Sequence, residues 1–427
     1  MKGPLRCFMP TEKGMAACIA KAYGSYQTGV NMDTWNQMCE SLMEWYRVER
    51  RILPWREDPT PYHVWISEIM LQQTRVDTVK DYYARFLARC PDIRALAEAD
   101  EDTYMKLWEG LGYYSRVRNL HKAAEEIMEA YDGIMPKSYD ELLKITGIGP
   151  YTAAAIASIA FGERVPAVDG NLLRVFARLT AYKENIKTEK ARKAAAAYYI
   201  NWMPEAAPAQ SLPSSVQVKG DRVLNRSMVF TSAHVQEDTG AAQSRPLSTP
   251  GNFNQALMDL GATICLPNST PLCAECPLQC FCTAHARGEE TAYPVVPEKK
   301  ARRMEARTVF LLHDAGKIVI GKRPPKGLLA SLYEFPNTEG HLTEKEALQY
   351  VSSLGFMPLH IRRLAPAKHI FSHIEWHMIG YEVRVDELTP FESDHLLLVS
   401  MQALADTYSI PSAFSAYRKL LPENSGE

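Results

Sequence analysis

Two carboxylates, a glycine-flanked turn and a crowd of thiols carry the chemistry open to this sequence. Glu68 lies in the middle of an apolar stretch, VWISEIML. A carboxylate in such surroundings is costly to bury unless it is paired or protonated. Two readings stay open from the pattern: a Glu on the solvent side of an amphipathic helix, or a buried group kept for a chemical task. Asp169 lies in VPAVDGN, on a short loop that follows an Ala-rich helix predicted from Tyr151 to about Phe161. Just upstream, Ser138 and Glu141 form an S-x-x-E capping box that predicts a short helix, with Leu142, Leu143 and Ile145 as its apolar side. Gly147-Ile148-Gly149 then breaks that helix, and Pro150 suits the first turn of the next. Two glycines around one apolar residue let the backbone turn tightly and come close to another group. Outward amides beside a helix N-terminus make an anion site. A Gly-x-Gly turn by itself is most often only a helix cap.

The thiols follow the pattern Cys265-x7-Cys273-x2-Cys276-x5-Cys282, four within eighteen residues, with Cys280 alongside. Soft sulfur donors so spaced can wrap one zinc ion or one iron–sulfur cluster, and the spacing does not separate the two. Cys280 competes with Cys282 for the fourth place. The odd total of nine cysteines and the lack of a secretion signal predict a reduced, cytoplasmic setting in which these thiols bind metal and do not form disulfides.

The elements that must position these groups are mostly helical up to about residue 292. The length, 427 residues, suggests two or three domains, and 46% hydrophobic with 23% charged residues fits a water-soluble fold. No apolar run approaches the ~20 residues that span a bilayer. A formal net charge of −2 leaves no global basic field, so any contact with nucleic acid must use local patches, amides and shape. Residues 1–31 read as a loosely ordered extension. Trp35, Met38, Leu42, Trp45 and Tyr46 mark one face of a first helix, and residues 64–79 read as a second. Gly110-Leu111-Gly112-Tyr113-Tyr114 interrupts further helices, and Arg116, Arg118 and Lys122 after it read as surface charge. Residues 205–251, rich in Pro, Ser, Ala, Gln and Gly, read as a flexible insertion in which VLNRSMVF forms at most a brief strand. A basic linker over 293–306 leads to strands RTVFLLH and IVIGKRP, a loop through KGLLASLYEFPN, a helix in TEKEALQYVSSLGF, and strands in LHIRRLAPAKHIFSHIEWHMIGYEVRV.

The hairpin, the loop aspartate and the later cysteines together resemble the HhH-GPD superfamily of DNA glycosylases, in its endonuclease III branch. WISEIMLQQTRV, GLGYYSRVRNLHKAA, VDGNLLRVFAR and FNQALMDLGATIC resemble the adenine DNA glycosylase (MutY) family over roughly residues 33–203 and 252–385. The resemblance implies a mainly α domain over 32–292, with the insertion 205–251 and an iron–sulfur loop over 265–282, and an α+β Nudix-like recognition domain over 307–427. It implies a [4Fe–4S] cluster on Cys265, Cys273, Cys276 and Cys282. It implies that Glu68 is the acid that protonates a departing adenine, that Asp169 is the carboxylate at the sugar, and that Asn171 orients that chemistry. Gln73 and Tyr113 match residues that wedge into the base stack, Gly147 and Gly149 a phosphate-binding hairpin, and Phe371-Ser372-His373 a loop that touches 8-oxoguanine. Lyases of the superfamily carry Lys where this chain has Tyr151, which implies base removal without strand cutting. The implied substrate is duplex DNA with adenine opposite 8-oxoguanine or guanine, bound by a monomer. The chain departs from the family in two places. The first cysteine gap is one residue longer than the commonest family spacing, and the connection at 205–251 is much longer. Residues 336–355 lack the R-E-x-x-E-E box of a working Nudix hydrolase.

Overall fold

The structure, a computed structural model, describes residues 31–205, 248–297, 301–314, 316–386, 388 and 395–421. The predicted extension up to residue 30, and the body of the predicted insertion with its VLNRSMVF segment, lie outside these residues. The rest gathers into two compact units that do not follow chain order. One comprises residues up to Ile52, Lys137–Tyr139 and Pro150–Val296; the other comprises Leu53–Pro136, Asp140–Gly149 and Pro297 onward. Among the described residues no helix is long and apolar enough to cross a membrane.

In the first unit, helix Met32–Glu49 buries Met38, Leu42, Met43 and Tyr46, the face the apolar spacing predicts. They pack with Phe176 and Leu172 of helix Gly170–Thr180, Tyr199 of helix Glu189–Ile200, and Phe253 and Leu257 of helix Pro250–Thr263. That last helix begins before the predicted end of the insertion, because Thr249 accepts a hydrogen bond from the Asn252 amide and Pro250 fills the first turn. The Ala-rich helix, Pro150–Phe161, buries Ala153 through Ala157. Its thinness is used: a Cβ on Gly251 would lie 2.6 Å from Ile159 Cα, so only glycine lets the two helices approach so closely. Arg51 binds the fully buried Asp259 through Nε at 2.7 Å and Nη2 at 2.6 Å, tying the end of the first helix to helix Pro250–Thr263.

The second unit joins helices to a sheet. The predicted helix over 64–79 is two helices, Pro61–Leu71 and Val76–Arg89, with a turn between them in which Gln73 takes φ 59°. Helices Glu101–Leu107 and Ser115–Ala130 follow. Of the predicted apolar side after Ser138, Leu142 and Ile145 are buried, but Leu143 is exposed. The sheet strands are β1 (Arg303–His313), β2 (Lys317–Lys322), β3 (Tyr333–Glu334), β4 (Asn337–Glu339), β5 (Pro358–Ile370), β6 (Ile374–Val385) and β7 (Leu396–Ser400). Their order is β3-β2-β1-β6-β5, with β4 on β1 and β7 on β2. β1 starts inside the predicted linker, since Arg303 already pairs with Ile374 of the parallel β6. β3 and β4 lie in and just beyond the stretch read as loop. Alternation on β1 serves two cores: Val309 and Leu311 face Trp376 and Phe414, whereas Phe310 and Leu312 face Tyr381 and Val351 of helix Glu344–Ser353.

Candidate active site

In the first unit, Asp169 occupies the N-cap of helix Gly170–Thr180. Its Oδ1 accepts from the Leu172 amide at 2.8 Å, and its Oδ2 accepts from Asn171 Nδ2 at 2.7 Å. Burial raises its carboxyl above the ordinary range, against the pull of those two donors and of the Arg174 charge. Arg174 settles the orientation of Asn171. Its Nη2 donates to Asn171 Oδ1 at 2.8 Å, which turns the Asn171 amide nitrogen toward Asp169. The same guanidinium donates to the carbonyls of Gly261 and Cys265, both at 2.7 Å. The approach to Asp169 is held by the buried Asn254, whose Oδ1 accepts from Ala167 N and whose Nδ2 donates to Val165 O and Ser158 Oγ. Gly261 is required because a Cβ there would lie 2.5 Å from Asn171 Cβ. Tyr151 stands half-buried in the first turn of the Ala-rich helix.

In the second unit, Glu68 is 6% exposed. The solvent-side reading of this residue therefore fails. The reason is that helix Pro61–Leu71 buries Tyr62 and every residue from Val64 to Met70, so it has no solvent stripe. Tyr113, with φ 48°, presents an exposed ring, but Arg116 is not surface charge. It is buried, and burial pulls its guanidinium down to about 10. Its Nη1 donates to the carbonyls of Ile69, Met70 and Gln72, and its Nη2 to those of Leu111 and Gly112. At the hairpin, Gly147 takes φ 77° with Asn119 Cβ 2.8 Å from where a Cβ would stand, whereas a Cβ on Gly149 would meet open space. Glu126 accepts from the Thr146 amide at 3.0 Å and fixes the entry to that turn.

Phe371, Ser372 and His373 form the turn between β5 and β6, closed by Phe371 N donating to Ile374 O at 2.8 Å. Ser372 and His373 are exposed, while Phe371 packs edge-on against Trp376. Ser372 Oγ lies 2.9 Å from Tyr113 OH, so two candidate residues 259 apart in sequence meet in space. Polar contacts hold the sheet in place there: Arg118 Nη1 donates to Ala330 O, and Glu109, just before the Gly110–Tyr113 turn, accepts from Ile410 N and Arg418 Nη1. Sequence reasoning missed Arg174, Asn254, Glu109 and the inward aim of Arg116. A signal existed only for Arg116, whose guanidinium follows a Gly-flanked aromatic pair.

Cys265, Cys273, Cys276 and Cys282 line one cavity of the first unit, walled by Val175, Leu179, Leu260 and Leu278. Cys280 is exposed and does not line it. The longer first gap is absorbed by a loop that Leu272 N closes onto Ile264 O at 2.9 Å, with Asn268 at φ 56°. Burial pushes the Cys282 thiol up to about 11, and the nearby Cys265 and Cys273 add to the rise. Four thiols gathered around one cavity are a donor set that suits a soft cation. Arg178 Nη1 lies 3.2 Å from Cys265 Sγ, a charge placed to support a thiolate. Cys273, His285 and Glu290 also bring ligand atoms within 4.8 Å of one another, but His285 Nδ1 already binds Glu290 at 2.5 Å.

Two family models match the chain. Residues 66–199 match the HhH-GPD superfamily base excision DNA repair protein, and residues 308–420 match the NUDIX domain. These matches define the class: a base excision DNA repair domain of the HhH-GPD superfamily joined to a Nudix-type domain. The chain is similar to the adenine DNA glycosylase of Homo sapiens, at 32% identity, with 82% of this chain covering 67% of that one. It is 33% identical to that of Rattus norvegicus, over 82% of this chain and 71% of the relative. It is 33% identical to that of Arabidopsis thaliana, where it spans 63% of the relative's length. The chain belongs to the adenine DNA glycosylase family.

Proposed function

We propose that this enzyme hydrolyses the bond between adenine and deoxyribose where adenine lies opposite 8-oxoguanine or guanine in duplex DNA, acting as a monomer in the cytoplasm. A base inside a duplex is out of reach, so the adenine must leave the stack. Gln73 and Tyr113 enter the space it leaves. The Gly147–Gly149 turn holds a backbone phosphate through its amides, which positions without reading sequence. The open space at Gly149 supports that role. Adenine is a poor leaving group, and Glu68 protonates it as the bond breaks. The sugar becomes cation-like, and Asp169, kept in place by Asn171, stabilises it or attacks it, the two-carboxylate logic of glycosidases. The observation that carries this reading is the burial of Glu68 in a helix with no solvent face. A carboxyl is seldom placed on such a helix unless it has partners or a chemical task, and the second is the role given to it here.

The four thiols lining one apolar cavity fit a [4Fe–4S] cluster, held by Cys265, Cys273, Cys276 and Cys282. When bound, it supplies cross-linking of the loop between helix Pro250–Thr263 and the chain beyond Cys282. The Nudix-type domain acts as a recognition module. Its helix Glu344–Ser353 offers no cage for metal ions, and Glu346 is engaged in a capping box with Thr343. Phe371-Ser372-His373 touches the base opposite the adenine.

A glycosylase assay on duplexes with adenine opposite 8-oxoguanine, guanine and thymine tests the function. Release from all three at equal rates, or from none, rejects it. The paired substitution Ser372→Ala with His373→Ala is expected to lower the preference for 8-oxoguanine over guanine by roughly tenfold, or about 1.4 kcal/mol. An unchanged ratio of single-turnover rates rejects the role of that turn. Tyr151 has no amine to form a Schiff base with the sugar. Borohydride is therefore expected to trap no more than background covalent complex with substrate DNA, and efficient trapping overturns the monofunctional reading.

A further inference from the structure

Arg116 has no carboxylate within ion-pair distance among the described residues, although it is buried. Its charge is met by oxygens of two separate turns instead. One arm, Nη1, lies 2.8, 3.0 and 2.6 Å from the carbonyls of Ile69, Met70 and Gln72, at the end of helix Pro61–Leu71. The other arm, Nη2, lies 3.1 and 3.0 Å from the carbonyls of Leu111 and Gly112, and 3.4 Å from Thr74 Oγ1. The two arms belong to one rigid plane, so the spacing between the turns is set by a single group. Each turn carries a non-glycine residue in the left-handed region, Gln73 at 59° and Tyr113 at 48°. Such conformations persist only where surrounding contacts over-determine them. The guanidinium also lies 5.2 Å from the Trp108 ring and 5.7 Å from the Tyr113 ring, under the aromatic that faces solvent. Trp108 Nε1 donates to Gly112 O at 3.1 Å, the same carbonyl that Arg116 uses.

We propose that Arg116 is a positioning residue that locks the two turns at one spacing, so that Gln73 and Tyr113 enter the duplex as a unit when the adenine leaves it. The inference rests on the wedge role given to those two residues above. A lysine keeps the charge, but its point-like ammonium cannot span both sets of carbonyls.

The test uses the full chain as wild type, Arg116→Lys and Tyr113→Ala, and the double variant. Circular dichroism and thermal melting establish that each is folded. Extrusion is read from the fluorescence of 2-aminopurine placed beside an adenine opposite 8-oxoguanine, and by single-turnover base release. Binding is read in parallel on a duplex with a tetrahydrofuran abasic analogue in place of that adenine, where no base has to leave. For Arg116→Lys we expect about a tenfold loss in extrusion and release, and less than about a threefold loss in binding to the abasic duplex. Adding Tyr113→Ala should then cost little more than either change alone, because both act on one wedge. Equal losses on the two duplexes, additive effects in the double variant, or wild-type behaviour of Arg116→Lys each overturn the inference. If the wild type itself neither extrudes nor releases adenine, the proposed function fails instead. If the wild type does both and Arg116→Lys matches it, only the role of Arg116 fails.

Discussion

Single-turnover release of adenine is expected to fall by about three orders of magnitude or more in Asp169→Asn, and by a comparable factor in Glu68→Gln, with binding to substrate DNA retained. The two changes remove different things. Glu68→Gln keeps the volume and polarity of the side chain but leaves no proton to give to the departing base. Asp169→Asn keeps an oxygen for the Leu172 amide, and Asn is as good an N-cap as Asp, so helix Gly170–Thr180 keeps its start. What that variant loses is the negative charge at the sugar. Its new amide nitrogen would also face Asn171 Nδ2, which Arg174 holds in place, so one donor there goes unmatched at a cost of about 1–3 kcal/mol. Melting curves therefore belong beside the rate measurements. Near-normal single-turnover rates in either variant would remove that residue from the mechanism.

The raised pKa of Asp169 gives the same experiment a pH axis. In the proposed mechanism the ionised form is the one that stabilises a cationic sugar. It is lost as pH falls through a folded-state value above the usual ~3.9 of an aspartate. The acid limb of the rate profile should thus set in at a higher pH than a free aspartate would give, and Asp169→Asn should abolish that component of it. The stability linkage has the opposite sign. A carboxyl whose folded pKa is raised favours the fold below its unfolded pKa, and that contribution disappears as pH rises through the folded value. Ionised Asp169 therefore works against the fold, as a group kept for chemistry does.

The proposed reacting groups were legible in the sequence because each is the wrong residue for its local pattern. An acid inside VWISEIML, an aspartate closing a glycine-rich loop and four clustered thiols stand out from the residue order alone. What holds those groups was not legible. The helix end at Leu71 is invisible in the apolar period, which runs on through Val76 and Val79. Its carbonyls are instead gathered by Arg116, 44 residues away from Gln72. Arg174 looks like an ordinary helical arginine until the Gly261 and Cys265 carbonyls arrive from 87 and 91 residues downstream. The start of β1 at Arg303 depends on a parallel partner that begins at Ile374, so local composition reads it as linker. In each case the deciding partner is distant in sequence, and periodicity carries no information about it.

The choice among the five late cysteines has the second large consequence. Cys282→Ser is expected to abolish iron loading, with loss of the visible absorption of the cluster and a melting temperature lower by about 10 °C or more, as a structural cofactor couples binding to folding. Cys280→Ser is expected to change none of these, because Cys280 is exposed and lies outside the cavity that the other four line. Iron and sulfide content, absorption and melting of the two variants decide the matter; loss of iron in Cys280→Ser with retention in Cys282→Ser would reverse the ligand assignment. The effect should not stop at the loop. Cys265 passes its carbonyl to Arg174, Arg174 fixes Asn171, and Asn171 donates to Asp169. Cys265→Ser keeps that backbone carbonyl but frees the residue that carries it, and the resulting shift should lower the release rate of whatever protein remains folded as well as the yield of loaded protein. Cys276 is not among the acceptors of that arginine, which are Gly170, Asn171, Gly261 and Cys265. Cys276→Ser should thus shift that carbonyl less, and lower the release rate per folded molecule less, than Cys265→Ser. The order of the two rates per folded molecule measures how far the cysteine loop reaches toward the carboxylate at the sugar.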